Sequence, residues 1–333
     1  MKYLSILLLL LVSLAACQSK QATETSSTAD STASAAVQVR FVPDSALADI
    51  RQQCAFGARV PGSEAHRKCG DWMVARFKSL GLEVTEQNAT VKGWDGKQLP
   101  LRNIIASYQP EAANRIIICT HWDSRPWCDN DADSTRHREP VMAANDGASG
   151  VAVMLEIMRL LPEIKPAVGI DFICFDVEDY GAPYWGEEDA PFDGSDWCLG
   201  SQYWAQHPHK ADYTAEYGIL LDMVGGDDAR FCYEGFSMRY ARDVMLKVWT
   251  AAEVAGAGGY FVREDGTYAQ DDHLPLNETA GIPTIDIIPY PSGDNVSFSR
   301  TWHTTNDTPE NISIETLRAV GQTLLQVLAT EGK

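Results

Sequence analysis

Five residues of metal-binding type fall at the ends of apolar runs. Residues 116–120 lead into His121-Trp122-Asp123, and 168–175 lead into Asp176-Val177-Glu178-Asp179-Tyr180-Gly181. Residues 219–221 lead into Asp222, Asn145-Asp146 precedes a helix-like stretch from Gly147, and Trp302-His303-Thr304 precedes the last helix-like stretch. The candidate ligands are therefore His121, Asp146, Asp179, Asp222 and His303. Imidazole and carboxylate together suit zinc. Glu178 stands beside Asp179, so one can bind metal while the other works as acid/base toward a substrate. Taken singly, each has a plainer explanation. An Asp at a strand end is more often a turn or cap residue, Asp146 could cap a helix, and His303 could be an ordinary loop histidine. The joint pattern carries the argument, because one edge of the chain supplies every member.

That edge must be built by the intervening elements. Residues 45–55, 64–80, 147–161, 239–255 and 312–330 have helical apolar spacing, with Pro162 expected to end the third, and 200–206 begins a further helix. Residues 82–91, 103–108, 116–120, 168–175, 219–223 and 284–288 read as strands, those at 116–120 and 168–175 being continuous apolar runs covered on both faces. Strands alternating with helices imply an α/β sandwich with a largely parallel sheet. Such sheets bind ligands at the carboxyl ends of their strands, where the candidates fall.

Composition narrows the partners. The 333 residues carry 27 Lys and Arg against 46 Asp and Glu, a formal charge of −19, with no basic cluster, which argues against nucleic acid. Residues 1–17 have a targeting pattern: Lys2, an apolar run too short for the roughly 20 residues of a membrane span, then Leu14-Ala15-Ala16-Cys17. This resembles a bacterial lipoprotein signal with Cys17 as the acylated residue. An ordinary cleaved signal peptide shares the same apolar core. Gln18 after the cysteine, by the same resemblance, favours the outer membrane, with the protein in the periplasm and touching membrane only through the lipid. Residues 18–40, rich in Ser, Thr, Ala and Gln, read as a flexible tether, and 41–333 as one catalytic domain. Seven further cysteines remain, and export permits disulfides. An odd number leaves at least one thiol free. Cys119 and Cys174 read as buried thiols, while Cys54 with Cys69 and Cys128 with Cys198 are candidate pairs whose connectivity is open.

The order His-x-Asp, Asn-Asp-Gly, acidic pair, Asp and late His resembles the zinc aminopeptidases and their relatives, the glutaminyl cyclases of animals and some bacteria. Ala58-Arg59-Val60-Pro61-Gly62-Ser63 and Asn145-Asp146-Gly147-Ala148-Ser149-Gly150 belong to the same resemblance, which runs from about Ser45 to the C-terminus. It implies a three-layer α/β/α zinc-exopeptidase sandwich with a mixed, largely parallel sheet. By resemblance Asp146, Asp179 and His303 match the zinc ligands of the cyclases and Glu178 their proton-transfer residue. His121 and Asp222 match the ligands that hold a second zinc in aminopeptidases, so ligand count does not choose between the groups. Gln270-Asp271-Asp272-His273-Leu274-Pro275 and Trp302 before His303 resemble the cyclases, and Trp185 falls where they place a pocket tryptophan. Asp176–Gly181 and Trp197-Cys198-Leu199-Gly200-Ser201 resemble the bacterial cyclases in particular. Asp286 departs from the animal cyclases, which have His there.

The resemblance implies cyclisation of peptides or proteins that begin with glutamine, with Glu178, Asp271 and Asp222 catalytic, Trp185 and Trp302 walling the pocket, and one Zn2+. The alternatives are a di-zinc aminopeptidase using the same residues, and a surface lipoprotein that only binds peptides. Three other motifs fail. Asp129-Asn130-Asp131-Ala132-Asp133 opens like a calcium loop, but Ser134 and Pro140 replace the required Gly and Glu. Gly194-Ser195 lacks a nucleophile-elbow context, and 256–259 carries no phosphate signature.

Overall fold

The computed structural model describes residues 35–331 apart from 187, 189–190, 192–193, 228 and 291–297. The signal segment with Cys17 and most of the tether lie outside the described residues. Among the described residues no helix is long and apolar enough to cross a membrane.

Six strands form the central sheet, in the order β1 (Glu83–Lys92), β2 (Gln98–Tyr108), β4 (Gly169–Phe175), β3 (Arg115–His121), β5 (Gly218–Leu221) and β8 (Thr284–Ile287). β4, β3, β5 and β8 run parallel, while the β1–β2 pair joins β4 antiparallel. β3 and β4 are buried along their whole length, as continuous apolar runs require. Their side chains divide between two cores by the two-residue period of a strand. Ile116, Ile118, Ile170 and Phe172 face one core, to which α1 (Pro43–Ala55), α2 (Glu64–Ser79), α3 (Ala148–Ile164), α6 (Arg242–Val254) and α8 (Ile314–Thr330) contribute. Ile117, Cys119, Ile173 and Phe175 face the other, against Trp204 of α4 (Leu199–Gln206) and Leu276 of α7 (His273–Glu278). The result is a three-layer α/β/α sandwich with a mixed sheet, and its parallel strands deliver their carboxyl ends to one edge.

Several expectations are corrected. Pro162 does not end α3, which continues to Ile164 and stops where Lys165 turns left-handed at φ 50° and donates its N–H to the Leu161 carbonyl. The single helix expected over 239–255 is two, α5 (Gly235–Tyr240) and α6, because Ala241 leaves helical geometry at φ −139° and ψ 38°. β6 (Phe231–Tyr233) and β7 (Phe261–Asp265) form a separate small sheet that their shortness hides from pattern reading. The seven described cysteines are free thiols, so neither candidate disulfide is formed. Cys128 packs with Val141 and Ala143, whereas Cys198 turns its sulfur to Glu178.

Candidate active site

The end of β3 and the start of α3 are pressed together. A Cβ on Gly150 would stand 2.2 Å from Thr120 Oγ1, and one on Gly147 would meet the Asp123 carbonyl and His121 Cε1 at 3.0 Å each, with φ at +102°. Only glycine permits this approach, and it sets Asp146 beside His121. Asp146 is not a helix cap. Gly147 occupies that position without a side-chain bond, and Asp146 Oδ1 meets His121 Nε2 at 2.9 Å instead.

Backbone strain is concentrated around the same edge. Five of the eight described non-glycine residues at positive φ flank it: Ala143 (56°), Val177 (56°), Cys198 (56°), Met223 (49°) and His303 (54°). A β-branched residue such as Val177 is disfavoured there by its Cβ. Such conformations cost roughly 1–3 kcal/mol each and persist only where surrounding contacts impose them. Here they turn Glu178, His303 and the residues after β5 inward.

All five candidate ligands converge. His121, Asp146 and Asp222 form one set of donor atoms within 4.8 Å of each other, and Asp146, Asp179 and His303 form a second. His303 Nε2 lies 3.1 Å from Asp179 Oδ1 and 3.5 Å from Asp146 Oδ2, and His121 Nε2 lies 3.3 Å from Asp222 Oδ1. Asp146 Oδ2, both Asp179 oxygens and Asp222 Oδ1 are buried and accept no hydrogen bond. Buried carboxylate oxygens left so are costly, and a bound cation is the simplest partner for them. The donor set, two carboxylates and one imidazole, therefore fits a divalent metal of the zinc type.

Three acids, Asp307 and Asp123 buried and Asp129 half-buried, hold this constellation, each through a different loop. Asp307 accepts the N–H groups of Asn145 at 2.7 Å and Asp146 at 3.0 Å. Asp123 accepts those of Glu178 at 3.1 Å and Asp179 at 3.3 Å. Asp129 lies 3.5 Å from His303 Nδ1 and pairs through both oxygens with Arg125, whose guanidinium reaches the carbonyls of Asp179 and Gly181. A ligand histidine whose second nitrogen faces a carboxylate is fixed in orientation and made more basic. The failed calcium-loop motif thus has another role: Asp129 faces His303, Asp131 accepts the Thr305 N–H at 2.9 Å, and Asp133 accepts that of Thr135 at 3.0 Å. Asp307 carries no local signal, and Arg125 and Asp129, though four residues apart, act on His303 and on the Asp179 and Gly181 carbonyls, which are distant in sequence. Asp123 stood in the quoted triplet.

Titration follows the same geometry. Burial, then the neighbouring Asp146 charge opposed by the nearby His121, pushes Asp222 up to about 6. Burial and the Asp222 charge push Asp271 up to about 7. Burial raises Glu178 well above the ordinary glutamate value, opposed by His121 and reinforced by Asp179. Burial and the charges of Asp271 and Asp222 hold Asp286 high as well.

Glu178 keeps 12% side-chain exposure, enough to meet a bound molecule. It shares a cluster with Cys198 and Asp271. Beside that cluster opens a cleft of about 370 Å³, lined by Trp197, Cys198, Asp271, Phe236 and Leu274 among others. Trp302 stacks on His303 with ring centres 3.9 Å apart, and Trp197 lies parallel to His303 at 6.2 Å. Trp185 sits further out, edge-on to Trp127 at 6.2 Å and under the Arg138 guanidinium at 4.4 Å. Trp127 and Trp197 both bracket Arg125, so a stack of rings runs from Trp185 toward the ligand set.

The chain matches Peptidase family M28 over residues 103–328. A glutaminyl cyclase of Bacteroides thetaiotaomicron, solved with N-acetylhistamine bound, is 47% identical with a TM-score of 0.85, covering 88% of this chain and 99% of that one. A glutaminyl cyclase of Porphyromonas gingivalis is 48% identical with a TM-score of 0.82, covering 86% and 98%. The glutaminyl-peptide cyclotransferase of Bos taurus is 25% identical over 300 residues, 82% of this chain and 78% of that protein. Other curated relatives are longer: the chain spans 40% of an uncharacterized Escherichia coli protein and 50% of a Bacillus subtilis aminopeptidase. The match contains every ligand candidate together with Glu178 and Asp271, and the chain belongs to Peptidase family M28.

Proposed function

We propose that this chain is a zinc-dependent glutaminyl-peptide cyclotransferase, converting the N-terminal glutamine of peptides or proteins to pyroglutamate with release of ammonia. The observation that carries the reading is that Glu178, next to the metal-set residue Asp179, shares a cluster with Asp271, which lines one small cleft. The likeness to bacterial glutaminyl cyclases at 47% and 48% identity supports it.

The substrate brings its own nucleophile. Its α-amine attacks the side-chain amide carbon, a carbon–nitrogen bond forms to close the ring, and the bond to the departing nitrogen breaks. Zinc held by Asp146, Asp179 and His303 would supply Lewis-acid polarisation of the amide oxygen. Glu178 takes a proton from the attacking amine and gives it to the leaving nitrogen, which departs as ammonia. Asp271, held high by burial, orients the amide nitrogen, with Asp222 behind it. Trp302, stacked on His303, and Trp185 wall the side-chain pocket. A pocket fitted to one short side chain selects the terminal residue.

The second reading, a di-zinc aminopeptidase, draws on the His121, Asp146 and Asp222 set, whose donor atoms also lie within 4.8 Å of one another. In that case Glu178 would activate water instead. The cell-envelope location and the lipid anchor on Cys17 rest on residues 1–17 alone. Incubating the purified protein with a Gln-initiated peptide, with and without a zinc chelator, and measuring ammonia tests the function. Chelator-sensitive ammonia release is expected, and its absence at full metal loading would count against the reading.

A further inference from the structure

We infer that Glu178, Cys198 and Asp271 form a second, inhibitory site for a thiophilic divalent cation, separate from both ligand sets around Asp146. Each offers one donor atom, and these atoms lie within 4.8 Å of one another. Cys198 Sγ stands 3.4 Å from Glu178 Oε1. Two ligands on a tetrahedral zinc-sized ion, one sulfur and one oxygen, are about 3.6 Å apart by ordinary bond lengths. The pair therefore already has the spacing of co-ligands, and small side-chain rotations bring the third oxygen in.

The sulfur is directed there by the fold. Cys198 sits in the left-handed region at φ 56°, a strained state for a residue with a Cβ. Its N–H donates to the Glu178 carbonyl at 2.9 Å, tying the two residues together. Cys198 is 3% exposed and Asp271 5%, yet both line the 370 Å³ cleft, so an ion has a route in. The thiol donates to Glu178, and burial and the neighbouring carboxylates raise its proton affinity. A divalent cation reverses that balance: the thiol proton leaves to solvent and the thiolate joins two carboxylates around the ion. A thiolate with two carboxylates selects zinc or cadmium over magnesium or calcium. Occupancy engages the two carboxylates assigned to proton handling, so excess metal would inhibit. That consequence rests on the cyclase reading, whereas the site itself does not.

The test is titration of the zinc-loaded full-length protein with Cd2+, read by the ultraviolet cadmium–thiolate charge-transfer band, by bound metal and by turnover of a Gln peptide. One added equivalent with a thiolate band is expected, with turnover falling on the order of tenfold or more. Cys198→Ala should abolish the band and keep the first metal ion. Asp271→Asn, which retains the thiol, should weaken the added ion by about tenfold or more. A wild-type protein showing no thiolate band, or Cys198→Ala showing the full band, would overturn the site. A band without any cyclase activity would keep the site and sink the cyclase reading.

Discussion

His121 Nε2 lies 2.9 Å from Asp146 Oδ1, so the histidine that would serve a second metal is bonded to the carboxylate both ligand sets share. Three acids, Asp123, Asp146 and Asp222, overcome the effect of burial and hold this imidazole well above its ordinary proton affinity. On the cyclase reading, one zinc per chain is expected by elemental analysis of the purified protein. His303→Ala should lose it, while His121→Ala should retain it with affinity lowered by about 10–100-fold. Two zinc ions per chain, with one lost in His121→Ala, would favour the aminopeptidase reading.

Asp307 and Asp123 each hold two consecutive N–H groups of one ligand loop. Asp307→Ala frees the amides of Asn145 and Asp146, and Asp123→Ala those of Glu178 and Asp179. Each should weaken zinc by about 10–100-fold, as loss of an outer partner does. Competition with a chelator of known affinity measures this. Asp123→Ala should also lower turnover at saturating zinc, because it releases Glu178, whereas Asp307→Ala should not.

Glu178→Gln keeps the shape of the side chain and removes its proton. It should bind zinc and peptide normally and lose about 10²-fold or more in kcat. Asp271→Ala should be impaired to a similar degree although Asp271 belongs to a distant loop. Steady-state kinetics with metal content measured in parallel separates this from loss of the ion.

The ligands were legible because strands of a parallel sheet end at one edge, and His121, Asp179 and Asp222 follow apolar runs that are unmistakable as strands. Asp146 was legible through Gly147, whose glycine the close approach of His121 demands. What holds them was not. Asp307, Asp129 and Arg125 act on partners brought near only by the fold. The left-handed turns at Val177, Cys198 and His303 bear no glycine to betray them, since they are imposed by tertiary contacts against local preference. The break at Ala241 was hidden for the same reason, as alanine is a good helix former whose conformation is overridden there.

His209 provides a stability signature away from the site. Burial, with Lys210 adding to it and Asp171 opposing, lowers the imidazole to about 4, and its Nδ1 accepts the Trp204 indole N–H at 3.1 Å. The folded-state value is depressed, so the unfolded chain takes the proton first, near pH 6.5. This contribution is complete above about pH 6.5 and is lost as pH falls through about 4. Denaturant midpoints at pH 7 and pH 4.5 should differ more in the wild type than in His209→Gln. Equal differences would mean that His209 is not buried in its neutral form.

The most direct measurement uses two peptides that differ only in their first residue, Gln or Leu, incubated with the zinc-loaded protein and followed by mass and by free ammonia. The account predicts that the Gln peptide loses one ammonia and nothing else while the Leu peptide is untouched. Release of free leucine, with the Gln peptide trimmed by one residue, would contradict it and leave Glu178 activating water at the same metal site.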